Sequence, residues 1–201
     1  MTRIILIRHG ETAWNKVGRL QGTSNVLLSP EGIRQAKLLA QHAPFHSVDA
    51  IYSSDLSRAV TTAEILAEKF NLPVIQERGF RETNFGDWEG KLFTELMVVD
   101  GFEKFFTQPD RVHPPNGETF LECQARVLTS LEEIVADSPG QSVVIVSHGA
   151  VIRLMLCAAL ELPIRKMWAI NQVNMAVNII RVDGGNITIE LVNSTAHLYH
   201  F

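Results

Sequence analysis

A chain of 201 residues, 46% apolar and 20% charged, is long enough to bury a proper core and falls within the size range of a single domain. Its formal charge of −4 argues against a surface that coats nucleic acid or binds an anionic membrane, and leaves room for a local cationic pocket. The N-terminal apolar run is too short for a secretory leader and no later run is long enough to span a bilayer, so a cytoplasmic setting is the expectation.

The run Ile4-Ile5-Leu6-Ile7 reads as a strand buried on both faces, as inside a parallel sheet, and it delivers Arg8, His9 and Gly10 at its C-terminal end. Ligands of open α/β sheets bind outside the carboxyl ends of the strands, so these residues are placed for chemistry. Glu11 to Thr23, with Trp14, Asn15, Gly18, Gln21 and Gly22, is polar and glycine-punctuated and reads as an active-site loop or short helix. Ser29-Pro30-Glu31 opens a helix to about Gln41, with an N-cap serine and proline in the first helical position; Ile33, Ala36, Leu39 and Ala40 recur along it at helical spacing, and Pro44 breaks it. Val48 to Tyr52 predicts a second strand. Ser53, Ser54 and Asp55 supply N-cap candidates for a helix to about Phe70 whose inner stripe includes Leu56, Ala59, Val60 and Ala63. Arg58 falls in its first turn, at the positive end of the helix dipole, a position that suggests a nearby anion or acid.

Pro73-Val74-Ile75 is a short third strand, and Arg81 to Gly90 is an aperiodic acidic and aromatic loop. It carries Glu82, with Asp87 and Glu89 as competitors for any acid role. From Lys91 to Arg111, Leu92, Phe93, Leu96, Met97, Phe102, Phe105 and Phe106 cluster at helical spacing, so that residues 91–116 form either a helical lid or plain core. Glu118 to Asp137 is a long amphipathic helix. Val143 to Val146 is a second wholly apolar strand, handing over through Ser147 to His148-Gly149 and a helix from Ala150 to about Leu160; Ala176 to Val182 and Ile187 to Val192 form a hairpin. This alternation predicts an α/β chain, a three-layer α/β/α sandwich with a mostly parallel central sheet, as one domain over residues 1–201. Cys123 and Cys157 sit in helical apolar patterns and read as reduced packing residues. His42 and His46 are split by Pro44 with no third ligand near, so no metal site is expected, and His113, His197 and His200 are assigned no role.

The polar residues gathered at the predicted strand ends are Arg8, His9, Asn15, Arg58, Glu82 and His148. Guanidiniums match the planar geometry of a phosphomonoester's oxygens, an unprotonated imidazole can attack phosphorus, and a carboxylic acid can protonate the leaving alkoxide and then activate water. Several donors converging on the transition-state charge suffice without metal or other cofactor.

These residues also carry a resemblance. Arg8-His9-Gly10-Glu11-Thr12 with Trp14-Asn15, Gln21-Gly22, Ser53-Ser54-Asp55-Leu56 with Arg58-Ala59, Arg81-Glu82, Phe85-Gly86, Asn116-Gly117-Glu118 and Ser147-His148-Gly149 together resemble the histidine phosphatase superfamily over nearly the whole chain. The resemblance implies a phosphoglycerate mutase-like fold with His9 as the phosphorylated nucleophile and Glu82 as the acid. It further implies that Arg8, Asn15, Arg58 and His148 hold the phosphoryl group, with Gln21, Gly22 and Gly149 as candidates for substrate contact. Mutases of the family have a longer segment between acid and second histidine, bearing an Arg-Arg pair, and usually an asparagine after the glycine. Here Lys91, Lys104, Arg111 and Arg126 stand apart and Ala150 follows Gly149. The expected activity is therefore hydrolysis of a small soluble phosphate ester, with α-ribazole 5′-phosphate or a broad range as substrates. A cofactor-dependent phosphoglycerate mutase is the alternative, and a non-catalytic phosphate-binding or protein-interaction module is the alternative of another class. The partner is a small molecule, with neither nucleic acid nor membrane expected and a homodimer left open.

Overall fold

The computed structural model describes residues 1–199, so His200 lies outside the described residues. Six strands form one sheet: β1 (Thr2–Arg8), β2 (Ala50–Ser53), β3 (Val74–Gln76), β4 (Ser142–Ser147), β5 (Val177–Asp183) and β6 (Asn186–Ser194), in the spatial order β3-β2-β4-β1-β5-β6. The first four are parallel, and β5 and β6 add antiparallel at one edge. β1 lies directly against β4, with Ile7 opposite Val146 and Arg8 opposite Ser147. The two His-Gly pairs therefore leave the sheet side by side, at the point where the strand order reverses and a crevice opens.

Seven helices are labelled among the described residues: α1 (Ala13–Val17), α2 (Pro30–His42), α3 (Ser57–Phe70), α4 (Phe93–Leu96), α5 (Lys104–Thr107), α6 (Phe120–Asp137) and α7 (Gly149–Ala159). Successive strand residues point to opposite faces, so Ile5, Ile7, Val144 and Val146 pack under α2 and α3, while Ile4, Leu6, Val143 and Ile145 pack under α6 and α7. The result is the three-layer α/β/α sandwich with a mixed, mostly parallel sheet. No helix among the described residues is long and apolar enough to cross a membrane.

Several local expectations are corrected. The N-cap of α3 is Leu56, without a side-chain bond, because Ser54 faces His148 and Asp55 pairs with Arg81. Ile33 on α2 is exposed, and Val60 on α3 is only half-buried. The apolar residues from Lys91 to Arg111, read at helical spacing, lie on two single-turn helices separated by turns that include Gly101 at positive φ. Within that stretch Leu96, Phe102 and Phe105 belong to the core that packs on the sheet, whereas Met97 and Phe106 are exposed.

Candidate active site

His9 emerges from β1 almost wholly buried, with its Nδ1 2.7 Å from the carbonyl oxygen of Gly10. A carbonyl can only accept, so Nδ1 carries the proton and Nε2 presents a lone pair. Burial, reinforced by the charges of Arg58 and Arg8, holds the imidazole well below its ordinary pKa and keeps it neutral at neutral pH. His148 caps the start of α7, its ring centroid 5.2 Å from that of His9 and tilted by 57°. His148 Nε2 lies 2.8 Å from Ser54 Oγ, which also accepts the amide of Leu56. His148 Nδ1 is buried without a protein partner. Burial foremost, then Arg58 and the neighbouring groups, depresses this pKa too.

Arg58 is wholly buried in the first turn of α3, its Nη1 and Nη2 donating to the carbonyls of Ser24 and Gly22 at 2.8 and 2.6 Å. Arg8 Nη1 donates to Gln172 O at 2.6 Å, and the Nε atoms of both arginines are buried and unpartnered. Burial lowers both guanidiniums to about 10, so they remain cationic at neutral pH. Among the described residues neither forms a salt bridge. Desolvated cations held by carbonyls, with donors to spare, are costly in isolation and suit an incoming anion.

Glu82 lies opposite, its Oε1 accepting from its neighbour Thr83 N at 2.9 Å and its Oε2 from Ala150 N in the first turn of α7 at 3.3 Å. Asn15 commits its Oδ1 to Thr12 N in the capping box of α1 and to Asn174 Nδ2, which leaves its own amide N–H groups for the pocket. Gln21 Oε1 accepts from Thr12 Oγ1 at 3.0 Å, and Gly22 stands at a φ of 53° where a Cβ would collide with Glu89 Oε1. A cavity of about 120 Å³ is lined by Arg8, His9, Asn15, Gln21, Gly22 and Arg58, with Glu82 and Gly149 on the same surface. His148 is fully buried beside His9. All nine residues singled out from the sequence thus meet at one end of the sheet.

The competitors of Glu82 are accounted for. Glu89 is occupied by Thr23, Ser24 and the amide of Phe85, bracketing the loop that holds Arg58, while Asp87 is exposed and accepts from Asn116. Sequence reading missed Ser54 as the partner of His148 and Thr62, whose Oγ1 accepts from Gly10 N and donates to Arg58 O. It also missed the aromatic wall from distant segments, Phe85, Phe93, Phe105 and Trp168, and gave no role to Arg153, which lines the same cavity. An arginine one turn into the helix that follows His148-Gly149 is a usable signal; the placement of Trp168 has none in the local sequence.

The model of the histidine phosphatase superfamily (branch 1) matches residues 4–195. The chain is 38% identical to phosphoserine phosphatase 1 of Hydrogenobacter thermophilus over 203 aligned residues, covering 100% of this chain and 96% of the relative. Its fold is similar to that of YhfR from Bacillus stearothermophilus (TM-score 0.93, 34% identity, 98% and 100% of the two chains). The α-ribazole phosphatase from Shigella flexneri is also similar (TM-score 0.87, 29% identity, 96% of each chain).

Proposed function

Since this chain belongs to the histidine phosphatase superfamily (branch 1) and is a phosphatase acting on a small phosphate ester, we propose that it works in two displacements at His9, with no metal. His9 Nε2 attacks phosphorus, forming an N–P bond as the bond to the ester oxygen breaks. Glu82 gives its proton to the departing oxygen. Arg8, Arg58, Asn15 and His148 Nδ1–H stabilise the charge on the three remaining oxygens, in the manner of a preorganised oxyanion site. Glu82 then takes a proton from water, the water oxygen attacks phosphorus, and the N–P bond breaks to release inorganic phosphate and neutral His9. Throughout, the Gly10 carbonyl keeps the proton on Nδ1 and so fixes which nitrogen reacts.

The observation that carries this reading is the pair of buried guanidiniums, each with an unpartnered Nε, beside a neutral imidazole whose free nitrogen is defined by its hydrogen bond. The aromatic wall gives the alcohol portion an apolar surface. At about 120 Å³ the cavity lies well under the roughly 300 Å³ at which sites for larger ligands begin. We therefore favour a compact alcohol portion over the bulkier α-ribazole 5′-phosphate.

A phosphate-release screen over small monophosphates with chelator present tests the proposal. Inorganic phosphate from 3-phosphoglycerate, without 2-phosphoglycerate, is the expected result. Accumulation of 2-phosphoglycerate would make the chain a mutase, and no release from any ester, p-nitrophenyl phosphate included, would leave a binding module.

A further inference from the structure

The groups that would hold a phosphoryl group leave two cations of the cavity unused, Arg19, which is tied to Gly90 O, and Arg153. Arg153 rises from α7 one turn after Gly149, Nε donating to Ile170 O at 2.8 Å and Nη1 to Gly149 O at 3.0 Å. Its guanidinium lies 5.1 Å from the ring of Trp168, whose Nε1 donates to Phe105 O at 2.6 Å. The fork is thus held on two edges and one face, and among the described residues Nη2 has neither a hydrogen-bond acceptor nor a carboxylate in salt-bridge range. A guanidinium fixed this firmly while its outer donors stay free is organised for a ligand rather than for the fold.

Its position says which part of the ligand. A Cβ at Gly149 would sit 3.1 Å from Arg153 Nη1 and 3.4 Å from Arg8 Nε, so the two cations flank this glycine. Both hang from carbonyls of one segment, Ile170 for Arg153 and Gln172 for Arg8. Glu82 accepts from Ala150, the residue next to Gly149, which puts Arg153 on the acid's side of the cavity, where the alcohol departs. Resting on the hydrolase reading above, we propose that Arg153 is a specificity residue that binds a carboxylate on the alcohol portion of the substrate, so that the preferred esters are phosphorylated small hydroxy acids. A planar carboxylate matches the free edge of the fork, and a cavity of about 120 Å³ places it within a few atoms of the phosphorus.

The test compares kcat/KM for phosphate release from 3-phosphoglycerate and from glycerol 3-phosphate, which differ in a carboxylate against a hydroxymethyl group. The wild type is expected to favour the acid by about 10- to 100-fold, the range of a charge-assisted hydrogen bond. R153Q should bring the ratio close to one and R153K should leave an intermediate ratio. R19Q alters the other cation at the cavity, which is tied to Gly90 O and lies over Trp14, and should leave the ratio within threefold of wild type. A wild-type ratio near one overturns the proposal, and that measurement needs no variant. A ratio that survives R153Q, or that collapses in R19Q instead, overturns it as well. Release from p-nitrophenyl phosphate reads the underlying hydrolase separately: if it is absent along with both esters, the hydrolase reading fails, whereas release with an unchanged ratio sinks only the role of Arg153.

Discussion

The proposed chemistry turns on which nitrogen of His9 carries a proton, and one hydrogen bond decides it. Gly10 O fixes the proton of His9 on Nδ1, so Nε2 presents a lone pair, while His148 spends Nε2 on Ser54 and leaves Nδ1 as its nitrogen without a protein partner. Glu82 accepts two backbone amides, and in the proposed mechanism it exchanges a proton with the ligand. Glu82→Gln should therefore leave phosphate affinity near wild type. It should cost about 10²- to 10⁴-fold in kcat for alkyl monophosphates and much less for p-nitrophenyl phosphate, whose leaving group needs little protonation. Steady-state kinetics over esters of graded leaving-group pKa check this; a uniform loss would remove Glu82 from the role of acid. The sequence made Arg8, His9, Arg58 and His148 legible because rigid strand ends and a helix start present them. It left the roles of Ser54 and Arg153 unassigned, because these depend on partners 94 and 17 residues away.

At the scale of elements, the loop holding His9 is positioned by backbone meeting backbone. A Cβ on Gly32 would lie 2.1 Å from Glu11 O, and one on Gly10 would lie 2.6 Å from Gly32 O, so α2 and the loop after β1 touch through two glycines. Gly32→Ala must push the Gly10-Glu11 backbone aside and should lower kcat at least tenfold with wild-type secondary structure by circular dichroism; unchanged turnover would show that the loop tolerates the shift. Phe105 makes the other critical contact. Its ring lies 5.3 Å from Phe102 and 4.9 Å from Trp168, tying α5 to the segment beneath Arg153. Phe105→Ala should cost about 3–5 kcal/mol in urea unfolding and raise KM, whereas a cost under about 1 kcal/mol would mean that the segment packs loosely. The break between α4 and α5 was not legible, since Phe93 to Phe106 keeps helical spacing while tertiary packing of the rings, rather than local periodicity, decides where the chain turns. The α3 cap was misread for a related reason: Ser54 and Asp55 are good capping residues whose side chains are claimed by distant partners.

For the whole molecule, the alternation of apolar strands and amphipathic helices was enough to specify the layers, because a sheet buried on both faces has few other ways to hide its sides. The shared pattern of an apolar run ending in His-Gly already suggested that β1 and β4 lie side by side, whereas the rest of the strand order required the structure. Building such a site has a consequence for stability. The imidazoles of His9 and His148 titrate lower in the folded chain than in the unfolded one, so below about pH 6.5 the unfolded chain binds protons that the folded chain does not. Their neutral forms cost nothing above that pH, and stability falls as the pH drops through it. Between pH 7.5 and 5.5 the ligand-free protein should lose roughly 2–3 kcal/mol from this pair in urea unfolding, and His148→Asn should lose about half as much. Equal losses in both proteins would contradict the shift. Inorganic phosphate, which would bind only the folded site, should raise the thermal midpoint in proportion to the logarithm of its concentration above Kd.

The most direct test is to mix the enzyme rapidly with a phosphate ester, quench into alkali and map the phosphoryl group by mass spectrometry. The expected result is a single acid-labile, alkali-stable phosphoryl group on the peptide containing His9, formed before free phosphate and absent in His9→Ala. A phosphoryl group on any other residue, or turnover that survives His9→Ala, would contradict the account.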